Sequence, residues 1–414
     1  MKAIVIGGGI VGLSAALYLR QSGWEVVVVD KDDMQNNCSY GNAGYVSPSH
    51  FVPLATPGIV KQGLKWMLNP ESPFYVQPRL SWPLIDWGFK FMKAATPERV
   101  KAAAIPLRDF GLLSQQCYVD WKSQGIEMAY EHKGILEYFQ TAEKEDHAHH
   151  FCEDAVKLGL EAEILTAGQV QAMEPHTRVN VKGALFFKCD AHMYPARMMH
   201  SLLSKLRSMG VELLSNEAVK GFERQGSRIT RVVTAKGGHH ADIVVLASGA
   251  WSRELAASLN ISLPLVGGRG YSITMEDTAY RLNHPAILME GRVAITPMDG
   301  NKIRFGGTME ITSTKEPPRI NRVKGILDAV KRYLPEFDIP LPPIGQVWYG
   351  YRPCSADGLP YVGRSRKVDN LIMATGHAMI GLSLGAGTGK LVAELANEQA
   401  TSIDLRPFDP ERYN

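Results

Sequence analysis

The feature that most constrains the fold is a glycine-rich turn near the start of the chain. A short β-branched run at 2–6 ends in the sequence GGGIVG at 7–12, and residues 10–21 then show helical spacing. The sequence EVVVVD at 25–30 reads as a second buried strand that closes on an acid, Asp30. A strand, a glycine turn, a helix and a second strand predict a βαβ unit.

The spacing of the glycines predicts a dinucleotide-binding turn. The first glycine permits the tight turn, the second lets backbone approach a pyrophosphate, and the third lets the helix pack closely on the strand. The helix N-terminus offers free N–H groups to phosphates, and Asp30 can accept hydrogen bonds from ribose hydroxyls. A glycine-rich turn alone is weak support, but here strand, helix and acid are in register. The expected cofactor contacts in this unit are Gly7, Gly9, Ile10, Val11, Gly12, Asp30 and Lys31.

The C-terminal part of the chain indicates which dinucleotide, NAD or FAD, is expected to bind. An NAD enzyme needs only the first unit and a catalytic domain. Residues 370–390 add another strand, a glycine-rich turn and a helix, whose N-terminus would stabilise negative charge on a flavin ring. This favours FAD, and the alternative is a glycine-rich crossover without a ligand.

Composition excludes several classes of protein. The 414 residues suffice for two to three domains, and a net charge of +3 argues against a nucleic-acid binder. The five cysteines form no CxxC pair and no zinc spacing, so we expect reduced thiols, a cytoplasmic protein and no metal. We also expect no signal peptide and no membrane span.

The later nucleotide-domain strands lie far downstream, so another domain must be inserted between them. We expect an FAD-binding domain from residues 1–50, 190–255 and 345–414. We expect a mainly β substrate-binding domain from residues 51–189 and 256–344.

Five motifs carry a resemblance to a known family. They are GGGIVG at 7–12, CSYGNAGYVSP at 38–48, LASGAWS at 246–252, GYRPCSADGLPYVG at 350–363 and TGHAMIGLSLGAGTGK at 375–390. Over essentially its whole length the chain resembles the D-amino acid dehydrogenase branch of the FAD-dependent superfamily that includes D-amino acid oxidase, glycine oxidase and sarcosine oxidase. The resemblance implies an α/β fold: a Rossmann-like FAD-binding domain of the glutathione-reductase type with an inserted, mainly antiparallel β substrate domain.

The resemblance also implies roles for particular residues. Asp30 stands where the family more often has Glu. Backbone N–H groups of 380–383 would face the pyrimidine edge of the flavin. The further FAD contacts implied are Ser39, Asn42, Ala43, Gly44, Gly249, Gly376, Gly381, Leu382 and Ser383.

The expected catalytic residues are Arg352, Tyr271 and His377. By resemblance, Arg352 clamps the substrate carboxylate, and a planar guanidinium suits that task. Its alternative is a structural ion pair. Tyr271 could equally be a core aromatic, and His377 an interior histidine with a hydrogen bond. Further pocket candidates are Tyr45, His50 and Arg269.

The reaction implied is oxidative deamination of small D-amino acids or D-proline-type imino acids, an EC 1.4-type activity, with electrons passing to a quinone or respiratory-chain acceptor. The alternatives are a glycine or sarcosine oxidase that uses oxygen and a flavin-binding electron-transfer subunit. The segment 61–93 interleaves basic and aromatic residues, which predicts either peripheral contact with the inner face of the cytoplasmic membrane or helices packed on a sheet. A covalent flavin link at Cys354 is not expected.

Overall fold

The predicted βαβ unit is present in a computed structural model that describes residues 1–59, 63 and 71–414. Strand β1 (Lys2–Ile6) leads through the glycine turn into α1 (Ile10–Gln21) and then β2 (Glu25–Val29). β1 and β2 pair in parallel, with Ile6 opposite Val29. The glycine turn therefore lies at the carboxyl end of a central parallel strand, where open α/β sheets bind ligands.

The βαβ unit belongs to a six-stranded sheet. Its further strands are β9 (Glu212–Leu214), β13 (Ile243–Leu246), β19 (Tyr361–Arg364) and β20 (Leu371–Thr375). The order is β19-β20-β13-β1-β2-β9, and every pairing is parallel except that of β19 with β20. The downstream strands predicted for this domain do pair with the N-terminal ones, so the Rossmann-like part of the prediction is confirmed.

A nine-stranded sheet forms the second layer. Its strands are β4 (Phe74–Val76), β5 (Ile135–Phe139), β6 (Ala162–Thr166), β7 (Gly183–Phe187), β14 (Leu265–Met275), β15 (Ala286–Leu288), β16 (Val293–Pro297), β17 (Ile303–Ile311) and β18 (Trp348–Ser355). The order is β18-β14-β17-β16-β15-β5-β7-β6, with β4 beside β17. The pairings are antiparallel except those of β4 with β17 and β5 with β15. This confirms the mainly antiparallel second part of the fold.

Two small sheets complete the strands. One contains β10 (Val219–Gln225), β11 (Arg228–Thr234) and β12 (Gly238–His240), and the other contains β3 (Tyr45–Val46) and β8 (Ala191–His192). The β3–β8 pair holds the loop that follows the nucleotide unit against residues that precede a long helix.

The remaining α-helices cover the sheets. They are α2 (Trp82–Ala94), α3 (Pro97–Ser123), α4 (Ala142–Lys157), α5 (Ala167–Met173), α6 (Pro195–Ser208), α7 (Ser252–Ala257), α8 (Ile320–Tyr333) and α9 (Gly385–Ala396). Helix α2 covers the C-terminal part of the basic and aromatic segment 61–93. Lys65 and Trp66 of that segment lie outside the described residues.

Helices α1, α3 and α9 pack on one another beside the parallel sheet. Phe110, Tyr118 and Trp121 of α3 are fully buried. A Cβ on Gly389 would lie 2.4 Å from the backbone carbon of Ser14, so α9 approaches α1 more closely than a side chain permits. Within the described ranges, no helix is long and apolar enough to cross a membrane.

Candidate active site

A cavity of about 740 Å³ connects the two large sheets. Gly9 and Asp30 line one end, beside the carboxyl ends of β1 and β2, and Tyr271 and Arg352 line the other end, on the nine-stranded sheet. The cavity therefore joins the nucleotide turn to the face that was expected to hold the substrate.

The three motif glycines of the turn have different tasks. Gly7 has a φ of +118°, and a Cβ there would lie 2.4 Å from the Ala247 oxygen. A Cβ on Gly12 would lie 1.9 Å from the Gly7 oxygen. At Gly9, which lines the cavity, the nearest atom to such a Cβ is the Ser39 Oγ at 3.6 Å. Gly7 and Gly12 thus permit backbone packing, whereas Gly9 leaves room for a ligand.

Asp30 and Lys31 form the wall at the nucleotide end. Asp30 Oδ2 accepts a hydrogen bond from the Gly8 N–H at 2.6 Å, and its Oδ1 accepts one from the Asp32 N–H at 2.8 Å. Burial raises the pKa of the Asp30 carboxyl, although these backbone donors act in the other direction. Lys31 Nζ lies 3.8 Å from the centre of the Trp251 ring. Both Asp30 and Lys31 line the cavity.

The loop at 38–48 is fixed by short-range hydrogen bonds. Ser39 Oγ accepts from the Ile10 N–H at 2.9 Å, which ties the loop to the start of α1. Asn42 Oδ1 accepts from the Gly44 N–H at 2.8 Å. Ser39 and Asn42 line the cavity, so the loop presents polar groups from a fixed backbone.

Arg304 anchors the same loop from the nine-stranded sheet. Its Nη1 donates to the carbonyl oxygens of Tyr40 and Asn42, each at 2.7 Å. Thr296 Oγ1 donates to the Ala43 oxygen at 2.8 Å. Burial lowers the pKa of Arg304. Sequence reasoning missed this residue, since an arginine inside a buried strand gives no signal of what its side chain contacts.

The C-terminal segment presents backbone donors. Gly381, Leu382 and Ser383 line the cavity between a 3₁₀ turn, Ala378–Ile380, and α9. Among the hydrogen bonds of the described residues, none engages the backbone N–H groups of these three residues. Ser383 Oγ accepts from the Ser47 N–H at 2.8 Å. The cavity wall therefore carries a row of unengaged donors that a ligand can use.

Arg352 lies at the substrate end without an acidic partner. Its Nη1 donates to the Thr308 carbonyl oxygen at 2.5 Å, and its guanidinium lies over Gly270, where a Cβ would fall 2.2 Å from the guanidinium carbon. Thr308 itself has a φ of 68°. No carboxylate of the described residues lies within 4 Å of Arg352, and burial lowers its pKa. The guanidinium is thus held in place while its charge stays uncompensated.

Tyr271 and Arg269 converge on a buried acid that sequence reasoning missed, Glu310. The Tyr271 hydroxyl donates to Glu310 Oε2 at 2.7 Å and accepts from the Arg319 N–H at 2.9 Å. Arg269 is fully buried, and its Nε lies 2.9 Å from the same carboxylate oxygen. Tyr271 lines the cavity, so it contributes a ring and not a free hydroxyl. Arg269 lies outside the cavity wall and belongs to an ion pair.

His377 lines the cavity as a neutral imidazole. Its Nε2 lies 3.0 Å from Thr388 Oγ1, and the Thr388 hydroxyl donates to the Leu384 oxygen at 2.8 Å. That hydroxyl proton is used, so Nε2 of His377 carries the proton of this contact. Burial lowers the pKa of His377 to about 3. Burial therefore keeps the His377 imidazole uncharged near neutral pH.

Tyr45 and His50 line the cavity at its other side. The Tyr45 hydroxyl donates to the oxygens of Ala286 and Ile295, at 2.8 and 3.0 Å. Burial lowers the pKa of His50 to about 4, and its Nδ1 has no hydrogen-bond partner among the described residues.

Most of the remaining predicted residues also line the cavity. They are Val11, Ala43 and Gly249. Gly44 and Gly376 do not: their φ angles are 87° and 80°, and a Cβ would lie 2.2 Å from the Met193 oxygen and 2.6 Å from Tyr361 Cδ2, respectively. They serve turns. Cavity residues that sequence reasoning missed are Trp87, Phe91, Glu137, Thr308, Trp348 and Tyr349.

Comparison with known proteins gives one family and full-length relatives. The family model described as DAO, FAD dependent oxidoreductase, matches residues 2–395. A D-amino acid dehydrogenase of Helicobacter pylori is 31% identical over 415 residues, covering 98% of each chain. A D-amino acid dehydrogenase of Granulibacter bethesdensis is 31% identical over 428 residues, covering 100% of both.

Solved structures share the fold. Glycine oxidase from Geobacillus kaustophilus has a TM-score of 0.77 at 23% identity, covering 100% of this chain and 98% of that one. L-proline dehydrogenase from P. horikoshii has a TM-score of 0.74 at 19% identity, with coverage of 100% and 97%. Enzymes named for different substrates thus share one architecture, and at these identities the likeness establishes the fold alone.

The residues present fit FAD. The glycine turn, the acid at the end of β2 and the row of backbone donors before α9 all face one continuous cavity. The space left by Gly9 lies at the N-terminus of α1, where phosphates bind.

Proposed function

The chain belongs to the FAD-dependent oxidoreductase family, and we propose that it acts as a D-amino acid dehydrogenase. In this proposal it oxidises small D-amino acids or D-proline-type imino acids at the α-carbon and passes electrons to a quinone or another respiratory-chain acceptor. The observation that carries the proposal is the uncompensated guanidinium of Arg352 in the cavity.

Arg352 supplies the anchor for a carboxylate. A guanidinium presents parallel N–H donors that match the two carboxylate oxygens, so it fixes orientation as well as affinity. Thr308 O holds one nitrogen, and Gly270 leaves the space that the guanidinium occupies. A ligand carboxylate would also neutralise a charge that the described residues leave unpaired.

The chemistry divides between cofactor and protein. FAD, when bound, supplies the acceptor for the hydride that leaves the α-carbon. The residues of the chain bind and orient: Arg352 holds the acid end, and the Tyr271 ring walls the cavity while its hydroxyl is engaged with Glu310. Hydride loss from a neutral amine needs no protein acid or base, so we infer that the amine binds unprotonated. Water then hydrolyses an acyclic imine product to a 2-oxo acid and ammonia.

The exposed apolar side chains of helix α2 support the proposal that the electron acceptor lies at a membrane surface. Trp82, Phe89 and Met92 project from it with 77%, 67% and 50% exposure, and Leu80, just before it, is fully exposed. On the opposite face, Trp87 and Phe91 are buried and line the cavity. An apolar outer face with basic residues beside it suits the interface of a bilayer, and the same helix borders the site of oxidation.

The direct test of the reaction is an anaerobic titration of the purified flavoprotein with D- and L-amino acids, followed by the flavin absorbance. We expect D-alanine or D-proline to bleach the flavin and their L forms to leave it yellow. Bleaching by the L forms would contradict the assignment, and bleaching by none would favour an electron-transfer subunit. Hydrogen peroxide formed as fast as an added dye is reduced would favour the oxidase alternative.

The membrane contact is tested by co-sedimentation with vesicles of anionic phospholipid. Trp82→Ser with Phe89→Ser should lower the bound fraction while dye-linked activity persists, because both side chains lie outside the cavity. Val156→Ser is the matched control, since Val156 is 55% exposed on α4. Equal binding by the double variant and wild type would remove α2 as the contact.

A further inference from the structure

An acid without a partner lies in the cavity at a distance from Arg352. Glu137, in the middle of β5, is part-buried and lines the cavity. Neither a hydrogen bond nor an ion pair joins its carboxylate to any of the described residues. A carboxylate in this position costs free energy unless a ligand completes it.

The charge of Asp190 makes an ionised Glu137 carboxylate more unfavourable. Asp190 is fully buried but satisfied, because Ser49 donates to it through Oγ at 2.6 Å and through N–H at 3.2 Å. Burial, followed by the charge of Asp190, raises the pKa of Glu137 to about 7. Asp190 therefore accepts hydrogen bonds from Ser49, whereas the Glu137 carboxylate has no hydrogen-bond donor among the described residues.

Other basic residues that line the cavity are Lys144, His147 and Arg292. Lys144 Nζ lies 3.6 Å from Glu143, and the His147 ring stacks on Phe151. Burial lowers the pKa of His147, so its ring is uncharged near neutral pH. Neither Lys144 nor His147 therefore pairs with Glu137.

The spacing between Glu137 and Arg352 identifies the part of a substrate that each can contact. Thr308, which holds Arg352, is on β17, and two strands separate it from β5. Three steps of about 4.8 Å place the two strands about 14 Å apart. The α-amino nitrogen of an amino acid lies only about 2.5 Å from its carboxylate carbon. A carboxylate on Arg352 therefore leaves the α-amino group out of reach of Glu137, whereas the end of a long side chain can approach it.

The row of paired residues that leads across the sheet from Glu137 towards Arg352 leaves space above the sheet. In the sheet, Glu137 lies opposite Ile287, Ile287 opposite Ala294, and Ala294 opposite Gly306, and all four line the cavity. Small residues in this row leave space over the sheet for an extended aliphatic chain.

We propose that Glu137 forms the far end of a side-chain subsite that accepts a cationic group, an ammonium or a guanidinium, so that basic D-amino acids are a further substrate class of this cavity. The proposal rests on the proposed oxidation of D-amino acids at the α-carbon. To the small and cyclic substrates it adds basic D-amino acids, whose cationic side chain would bind Glu137.

The test compares D-lysine with D-norleucine, which has a similar chain and no charge, by kcat/KM with a dye acceptor. Wild type should prefer D-lysine, and Glu137→Gln should lower the ratio of D-lysine to D-norleucine about 10–100-fold, the worth of a hydrogen bond to a charged group. Glu145→Gln is the control, because Glu145 pairs with Lys182 on the surface, and the ratio should stay at the wild-type value.

The outcomes separate this inference from the function on which it rests. If D-alanine and D-norleucine are oxidised but the ratio is equal in wild type and Glu137→Gln, the inference is overturned and the function stands. A wild-type preference for D-norleucine over D-lysine overturns it without any variant. If no D-amino acid is oxidised, the function fails and the subsite fails with it.

Discussion

Two arginines on neighbouring strands of the same sheet, the buried Arg269 and the half-buried Arg352, face different environments. Arg269 on β14 and Arg352 on β18 belong to strands that pair directly, with Arg352 opposite Gly268. Arg269 lies 2.9 Å through Nε and 2.8 Å through Nη2 from Glu310. Arg352 donates to a carbonyl oxygen, and no described carboxylate lies within 4 Å of it.

The difference shows that an arginine of the sheet can either pair with an acid of the same sheet or keep its charge available to a ligand. Burial acts to lower the pKa of Arg269, but Glu310, Tyr271 and Tyr351 together outweigh it and the net shift is upward. Burial lowers the pKa of Arg352, and its polar neighbours offset this only in part. Arg269 therefore stabilises the sheet, whereas Arg352 keeps its charge available to the cavity.

The largest expected effect on stability comes from removing the partner of Arg269. Glu310→Gln leaves that guanidinium buried without a carboxylate, and we expect the free energy of unfolding to fall by about 3–5 kcal/mol. Urea denaturation measures this. Glu316→Gln is the control, because Glu316 contacts Arg269 through its backbone oxygen. A loss below about 1 kcal/mol would mean that the ion pair does not stabilise the sheet.

A smaller effect on the free energy of unfolding is expected at Glu137, the other uncompensated charge of the cavity, and this effect should depend on pH. Its folded pKa of about 7 lies above the usual carboxyl value, so its contribution to stability is present at low pH and is lost as pH rises from about 4.5 to 7. Glu137→Gln lacks this loss. Relative to wild type, the variant should gain about 3 kcal/mol of unfolding free energy between pH 4 and pH 8. A difference that does not change with pH would show that the carboxyl is not perturbed.

The smallest effect on stability is expected at Arg352. Arg352→Met removes a charge that has no acidic partner and keeps an unbranched apolar stem, so the unfolding free energy should change by about 1 kcal/mol or less. The same urea experiment applies. A loss as large as that of Glu310→Gln would place Arg352 with Arg269 among the structural residues and would end the comparison.

The sequence predicted local features well because they depend on neighbouring residues. The glycine turn, α1 and the acid of β2 are close in the chain, and their spacing sets the βαβ unit. The long helix α3 was not predicted, because it contains Pro106, a residue that disfavours helix interiors, and its buried aromatic residues are far apart. The domain limits and the roles of the site residues stay predictions.

Contacts between distant residues account for most of what sequence reasoning could not give. Arg269 and Arg352 both lie in strand-like segments, and the acid that distinguishes them, Glu310, is 41 residues from Arg269. Glu137 is on a strand that reaches the cavity through its pairing with β15. No local pattern signals either relation, since both depend on sheet order.

The central claim is that Arg352 keeps its charge for a substrate carboxylate. It is tested by kcat/KM for D-alanine and for D-alaninamide, which lacks the carboxylate, in wild type, Arg352→Ala and Arg352→Lys. Wild type should favour the acid by about thirty-fold to several thousand-fold, equivalent to about 2–5 kcal/mol. The ratio should approach one in Arg352→Ala and recover in part in Arg352→Lys, because an ammonium cannot reproduce the planar fork. A ratio in Arg352→Ala equal to that of wild type would contradict the claim.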